Sequence, residues 1–392
     1  MSAGLASPLA AETSFHLLSN GEDAFARLLA RIDGARRSIV IRAFNWRDDE
    51  TGELVGRALL RAAERGVRIE IHKDRVGMHY EYFEGNRQSF FHKKVGLKAR
   101  LSTWFLMASY AKWGSLRQKE SELADALLRH PNVSIAHEHD RYDHSKLYVF
   151  DDELVILGGM GIGDDFRLHN VDFMVEIAGP EAASRLAERH GGRAAFDPER
   201  SFDYLLRTHD CVDPGELARE RLALIASTRK SLTIEMAYLG DPTCTDAIVA
   251  AVKRGVAVTM LTAARANIIG DLNLWTCDSI LRRTGSPANL RIFLHPRMVH
   301  GKAIVGDGAW VDVGSTNFTA LSHHAYEEVD VFSRDAELAR AVEAAIQRDI
   351  ADAQPARLPV KYRRIHAAIE KAMSRHQSRI RRRGATSANT GT

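Results

Sequence analysis

HSKLYVFDDELVILGGMGIGDDFRLHNVD, residues 144–172, decides how this chain folds, because a variant of it returns 156 residues later. His144, Lys146, Asp151 and Gly158 recur as His300, Lys302, Asp307 and Gly314 at one constant offset. Asp172 meets Glu328 at the same offset, so a carboxylate follows the histidine by 28 residues in each copy. A repeat that keeps its polar residues in register implies two similar structural units. It also implies that both units contribute to the same chemistry.

Outward from the motif, strands and helices alternate twice in the same order. Ser14–Leu18 reads as a strand, and Asn20-Gly-Glu-Asp opens a helix with Phe25, Leu28, Leu29 and Ile32 at helical spacing. A strand over 39–44, a helix over 54–65 stopped by Gly66, and a strand over 67–71 follow. The second copy repeats this with a strand at 204–206, a helix from Asp213-Pro214-Gly215, and strands at 232–237 and 256–261. The pattern predicts an α/β fold with a largely parallel sheet in each half, the halves packed about a pseudo-two-fold axis. The expected boundaries are a disordered leader at 1–11, halves at 12–197 and 198–355, and a tail at 356–392.

At 392 residues the chain is too long for one ordinary core. Its 45% hydrophobic and 27% charged composition is that of a globular protein. Cys211, Cys244 and Cys277 are scattered, which suggests reduced thiols in a cytosol over disulfides or a zinc site. The N-terminus has no basic segment ahead of an apolar run, so no signal peptide is expected. The apolar run at 101–111 is about half of the ~20 residues that a spanning helix needs.

The net charge of +3 hides a segregation. Residues 86–119 carry eight Lys or Arg and no acid, and residues 357–392 carry a net +9, which leaves −14 on the remainder. Two positive segments on an acidic body suit contact with an anionic surface. The first lies in an insertion, about 77–120, that the second half lacks, and holds Phe90, Phe91, Trp104, Phe105, Tyr110 and Trp113. The tail places Ile365, Ile369, Met373 and Ile380 at near-helical spacing among arginines, and its last residues, GATSANTGT, read as disordered.

The motif itself carries chemistry. Strand residues two apart share a face, so His144 and Lys146 project together, as do His300 and Lys302. If the halves pair symmetrically, two imidazoles and two ammonium groups converge on one site. That set suits a phosphodiester, with lysines neutralising the non-bridging oxygens without a metal. One histidine attacks phosphorus while the other protonates the leaving alkoxide; a covalent phosphohistidine follows. Asp172 and Glu328 are expected to orient the histidine of their own copy. Glycines 158, 159 and 314 are expected to bring backbone amides close to the anion, with Ser315 and Asn317 beside them. Asp151 and Asp307 sit at turns, where a supporting structural role is expected. Among other polar candidates, His137, His139 and Asp140, and His323-His324, read as ordinary loop histidines and not as a metal centre, and Arg42 and Glu235 lie on strands near the active face.

H-x-K-x4-D-x6-G-[SG] twice in one chain resembles the phospholipase D superfamily, over roughly residues 12–350. The second copy, with Gly314-Ser315-Thr316-Asn317, matches that pattern fully; the first, with Gly158-Gly159-Met160-Gly161, is most similar to bacterial cardiolipin synthases of the short type without spanning helices. The resemblance implies metal- and cofactor-free transfer of a phosphatidyl group to phosphatidylglycerol, with His144 as nucleophile and His300 as acid. It implies a peripheral enzyme on the inner face of the cell membrane, bound to anionic lipid through the insert and the tail. A monomer suffices for one site. Gly161 departs from the pattern, since its counterpart is Asn317 and a carboxamide donor is missing on that side. Two other activities suit the same site: a phospholipase D that uses water, and a nuclease, which the apolar insert argues against.

Overall fold

The residues of each half that the sequence marks as strands do form one sheet per half, but the pairing is mixed. The structure is a computed structural model and describes residues 13–82, 88–91, 101, 104, 121–136, 142–209, 211 and 213–388. In the first half the strands are Ser14–Leu18 (β1), Ser38–Ala43 (β2), Arg68–Lys73 (β3), Val133–Ala136 (β4), Lys146–Phe150 (β5), Leu154–Gly158 (β6) and Met174–Ala178 (β7). The helices are Gly21–Gly34 (α1), Glu50–Glu64 (α2), Gly77–Glu81 (α3), Glu122–Arg129 (α4) and Pro180–His190 (α5), with a π-helical turn at Asp165–His169. Asn20 caps α1 by accepting from Asp23 N, and Asp49 caps α2 through Gly52 N, which starts α2 ahead of the expected position.

The second half contains Phe202–Arg207 (β8), Glu216–Ser227 (α6), Ser231–Met236 (β9), Pro242–Lys253 (α7), Ala257–Ala263 (β10), Gly270–Thr284 (α8) and Leu290–His295 (β11). Lys302–Gly306 (β12), Trp310–Gly314 (β13), Ala320–His324 (α9), Glu328–Ser333 (β14), Ala336–Ala351 (α10), Gln354–Pro355 (β15) and Arg364–Ala388 (α11) complete it. Among the described residues the sheet orders are β1-β7-β6-β5-β2-β3-β4 and β15-β11-β10-β9-β12-β13-β14-β8.

Only β2-β3-β4 and β9-β10-β11 pair in parallel; the remaining neighbours are antiparallel. The expectation of a largely parallel sheet is therefore corrected. The reason lies in the motif: β5 reaches β6, and β12 reaches β13, through turns far too short for a parallel crossover. Asp151 and Asp307 hold those turns. Each carboxylate accepts from three successive backbone N–H groups at the start of the neighbouring strand, Arg36 to Ser38 in one half and Arg229 to Ser231 in the other. Burial acts to raise both carboxyls, but these N–H donors hold them below the usual range. Both lie at the strand ends away from the histidines and support the hairpins, outside the residues that line the cavity described below.

One apolar core is shared by the two sheets. Leu147, Val155, Leu157, Val175 and Ile177 pack with Leu206, Ala303, Val305, Val311, Val313, Val329 and Val331. At about 1.5–3 kcal/mol for each fully buried aliphatic side chain, separating the halves exposes more apolar surface than either could tolerate alone. Strand-end bridges repeat the two-fold relation. Asp143 pairs with Glu327 and Val171 with Val299, each the image of the other at the motif offset. Trp46 with Ile162 likewise answers Leu239 with Phe318.

Two expectations about the charged segments change. Phe90 and Phe91 are buried against Trp46, in the first-half core, and α3 is anchored there by the fully buried pair Lys73–Glu81 at 2.8 Å. Leu101 and Trp104 are the described members of that insert that stand open, at 61% and 57% exposure. Phe105, Tyr110 and Trp113, and the leader at 1–11, lie outside the described residues. In the tail, α11 continues through Gly384–Ala388, where the sequence reads as irregular.

Asp307→Ala is expected to lower Tm by a few degrees, the equivalent of about 1–2 kcal/mol for three strand-entry amides returned to water. In the same protein kcat/KM at 25 °C should stay within about threefold of the parent. A large loss of turnover at unchanged Tm would place this carboxylate in the chemistry instead.

Candidate active site

The motif strands bring His144 and His300 to one cavity, at the ends of β5 and β12 nearest the two-fold axis. Each motif histidine is joined to the other half by its backbone, His144 N to Glu327 O at 2.9 Å and His300 N to Val171 O at 2.7 Å. The side chains follow. His144 Nδ1 lies 3.1 Å from both Glu328 carboxylate oxygens, and His300 Nδ1 lies 2.8 Å from Asp172 Oδ2. The carboxylates thus serve the histidine of the opposite copy, not of their own, a correction to the pairing expected from sequence. With Nδ1 bonded to a carboxylate, Nε2 of each ring is the nitrogen left for chemistry.

Lys146 and Lys302 lie under these rings, both wholly buried. Lys146 Nζ donates to His144 O, and Lys302 Nζ donates to His300 O while lying 2.8 Å from His300 Nδ1 and 3.3 Å from Nε2. Burial lowers Lys146 to about 7, helped by the charge of Lys302, and burial lowers Lys302 to about 8 against the pull of Asp172 and Glu328. Burial and the two ammonium groups also push His144 well below its ordinary value. His300 falls to about 3 by burial and Lys302, although Asp172 opposes this. Glu328 rises to about 7, since burial outweighs Lys146 and the Ser315 hydroxyl. In the free site burial and the ammonium groups therefore favour the neutral form of both imidazoles.

The glycine corners make room for carboxylates. A Cβ on Gly159 would stand 2.3 Å from Asp172 Oδ1, one on Gly314 would stand 1.9 Å from Asp330 Oδ1, and one on Gly158 would stand 2.5 Å from Phe173 O. None of the three glycines lines the cavity, and each packs closely against a neighbouring strand. Ser315 acts where expected but on a side chain: its Oγ–H donates to Glu328 Oε2 at 2.6 Å. Asn317 lines the cavity and is buried. The turn that carries it is clamped by Arg221, which donates to Asp312 Oδ2 at 2.7 Å, Asp330 Oδ2 at 2.8 Å and Thr316 O at 3.0 Å.

The cavity measures about 220 Å³. Aromatic rings grip each imidazole: Phe44 edge-on and Tyr326 stacked on His144, Phe166 and Tyr238 edge-on to His300. Sequence reasoning missed these four rings, because nothing in their spacing separates them from core aromatics. Arg42 pairs with Asp143 at 3.0 Å, and Glu235, on the equivalent strand, is wholly buried beneath Gly301, its carboxyl pushed well above the usual range by burial. His323 does meet potential metal ligands, Asp241 and Cys244, but the cluster is closed on itself. Its Nδ1 bonds to Asp241 Oδ2 at 2.9 Å, and Asp241 caps α7. His137, His139 and Asp140 lie outside the described residues.

Comparisons agree with this geometry. The family described as cardiolipin synthase, PLD-like domain, matches residues 28–190 and 222–350. The chain is similar to cardiolipin synthase A of Pseudomonas entomophila, 24% identical over 370 residues that make 88% of this chain and 70% of the relative. It is also similar to that of Pseudomonas aeruginosa, 23% identical over 371 residues, 88% of this chain and 68% of the relative. Among solved structures, phosphatidylserine synthase of Haemophilus influenzae Rd KW20 superposes with a TM-score of 0.67 at 14% identity, covering 94% of this chain and 95% of that one, which shows a common fold. With two motif copies meeting at one cavity and the family match spanning both halves, the chain belongs to the cardiolipin synthase, PLD-like domain family.

Proposed function

We propose that the protein is a phosphatidyltransferase of the cardiolipin-synthase type that moves a phosphatidyl group to phosphatidylglycerol through a phosphohistidine. The observation that carries this is the pair of carboxylate-bound imidazoles opening on one cavity above two buried lysines. Its similarity to cardiolipin synthase A supports the lipid substrate.

In the first step the His144 Nε2 lone pair attacks phosphorus, a P–N bond forms, and the P–O bond to the departing glycerol breaks. That alkoxide takes its proton from His300. In the second step neutral His300 takes the proton of the acceptor hydroxyl, whose oxygen attacks phosphorus as the P–N bond breaks. Glu328 holds Nδ1–H of His144 and supports the cation formed there, and Asp172 does the same for His300. A neutral His144 is ready to attack. His300 gains its proton with the substrate, because an anionic phosphodiester offsets the ammonium charges that depress the ring. Lys146 and Lys302 neutralise the non-bridging oxygens, the part that a metal ion plays elsewhere. Phe44, Phe166, Tyr238 and Tyr326 exclude water, the competing acceptor.

Docking on anionic lipid is assigned to the insert and the tail. Among the described residues no helix is long and apolar enough to cross a membrane. α11 leans on α8, with Lys371 Nζ 3.7 Å above the Trp275 ring and Leu272 N donating to Glu370, and Ser374 lines the cavity. Ile365 and Ile369 stand open on it at 76% and 47% exposure, among basic residues. An amphipathic helix of this kind suits the inner face of a cell membrane.

Purified protein with phosphatidylglycerol vesicles is expected to yield cardiolipin and glycerol in equal amounts, and His144→Ala or His300→Ala should lower kcat by about 10³-fold or more. Phosphatidic acid without cardiolipin would instead identify a hydrolase, and salt-sensitive DNA cleavage without lipid turnover a nuclease. The alkaline limb of kcat/KM should fall near pH 7–8, where Lys146 and Lys302 lose their protons in the free enzyme. In kcat it should move upward, since bound phosphate favours the charged ammonium. Titration by rapid mixing across pH 6–10 tests this, and a flat profile to pH 10 contradicts it. Ile365→Asp with Ile369→Asp is expected to reduce cosedimentation with anionic vesicles several-fold at unchanged Tm.

A further inference from the structure

The first motif lacks a carboxamide at Gly161, yet Asn45, two residues beyond β2, brings one to the cavity. The bridge Trp46–Ile162 is the two-fold image of Leu239–Phe318, so position 161 corresponds to Asn317, and Asn45 corresponds to Tyr238. A Cβ built on Gly161 would stand 3.1 Å from Asn45 Cβ and 2.8 Å from Phe166 Cε2. A side chain at 161 would therefore press first on the Phe166 ring and then on Asn45, so the glycine leaves both in place beside the cavity.

Asn45 and Asn317 both line the cavity with the two histidines. Neither carboxamide makes a hydrogen bond to the described residues, and both Oδ1 atoms are buried without a partner. Amides are rarely left so, and two on residues that line one cavity, Asn317 buried and Asn45 half-buried, point to a ligand that their N–H groups can reach. Tyr238, at the place of Asn45 in the other half, turns its hydroxyl to Asn267 instead. The second half thus draws its free carboxamide from the motif corner, and the first half from the end of β2.

We propose that Asn45 supplies the carboxamide missing at Gly161, so that Asn45 and Asn317 hold the phosphodiester from its two sides. It presupposes the phosphodiester function proposed above. Each amide N–H donates to a non-bridging oxygen. The departure from the motif is a relocation of a group, not its loss.

The test compares the full chain with Asn45→Ala and with Asn45→Asp, which keeps the shape and exchanges a donor for a negative charge. The readouts are Tm, steady-state kinetics on phosphatidylglycerol vesicles, and the inhibition constant of inorganic phosphate. Asn45→Ala is expected to lower kcat/KM by about 10- to 100-fold, the usual value of a hydrogen bond to a charged group. Asn45→Asp should also weaken inhibition by phosphate more than tenfold, with Tm within a few degrees of the parent. If Asn45→Asp retains the parent kcat/KM and phosphate inhibition, Asn45 only fills space and the inference is overturned. If the parent turns over no lipid but phosphate still binds, and binds less tightly to Asn45→Asp, the lipid function fails while the anion-binding role of Asn45 stands.

Discussion

Everything in this molecule depends on the exchange of carboxylates across the two-fold axis. His144 is held by Glu328 and His300 by Asp172, and the backbone N–H of each histidine is bonded to the other half as well. Neither half alone holds a supported imidazole. The site therefore exists only while the shared core of Leu147, Leu157, Val305 and Val313 keeps the sheets together. Packing of the halves and assembly of the chemistry are one event.

Burial then sets the electrostatics. Two lysines, two histidines and the carboxylates Asp172 and Glu328 crowd a buried centre, where desolvation lowers the lysines and imidazoles and raises Glu328. Such a centre is costly when empty and is relieved by a bound anion. That is the physical basis on which the proposed phosphodiester substrate rests. Elsewhere among the described residues opposite charges are paired: Arg221 lies between Asp312 and Asp330, and Arg27 and Arg31 clasp Glu176.

The two halves have diverged under a common frame. The second half fixes its corner with the buried Arg221 clamp, while Ile156 and Met174 occupy the positions of Asp312 and Asp330 in the first. The first half leaves position 161 as glycine, which lets Phe166 rest edge-on to His300 and Asn45 enter the cavity. Identical motif spacing has not required identical means of holding the motif.

Sequence by itself determined that there are two like halves, which His and Lys residues come together in space, and that Asp172 and Glu328 lie with them. Constant offsets and alternation along a strand carry that information, because they are local. It could not say which carboxylate meets which histidine: the offset is the same whether the partners are exchanged or not, and only the packing of one half on the other separates the two cases. Parallel and antiparallel neighbours were indistinguishable by composition until the short hairpin turns were seen to exclude a crossover. The roles of Phe44, Phe166, Tyr238 and Tyr326, and of Asn45, were hidden for a similar reason. Each looks like a core or strand-end residue along the chain, and only the tertiary structure, by folding β2 and β9 beside the motif hairpins, aims them at one cavity.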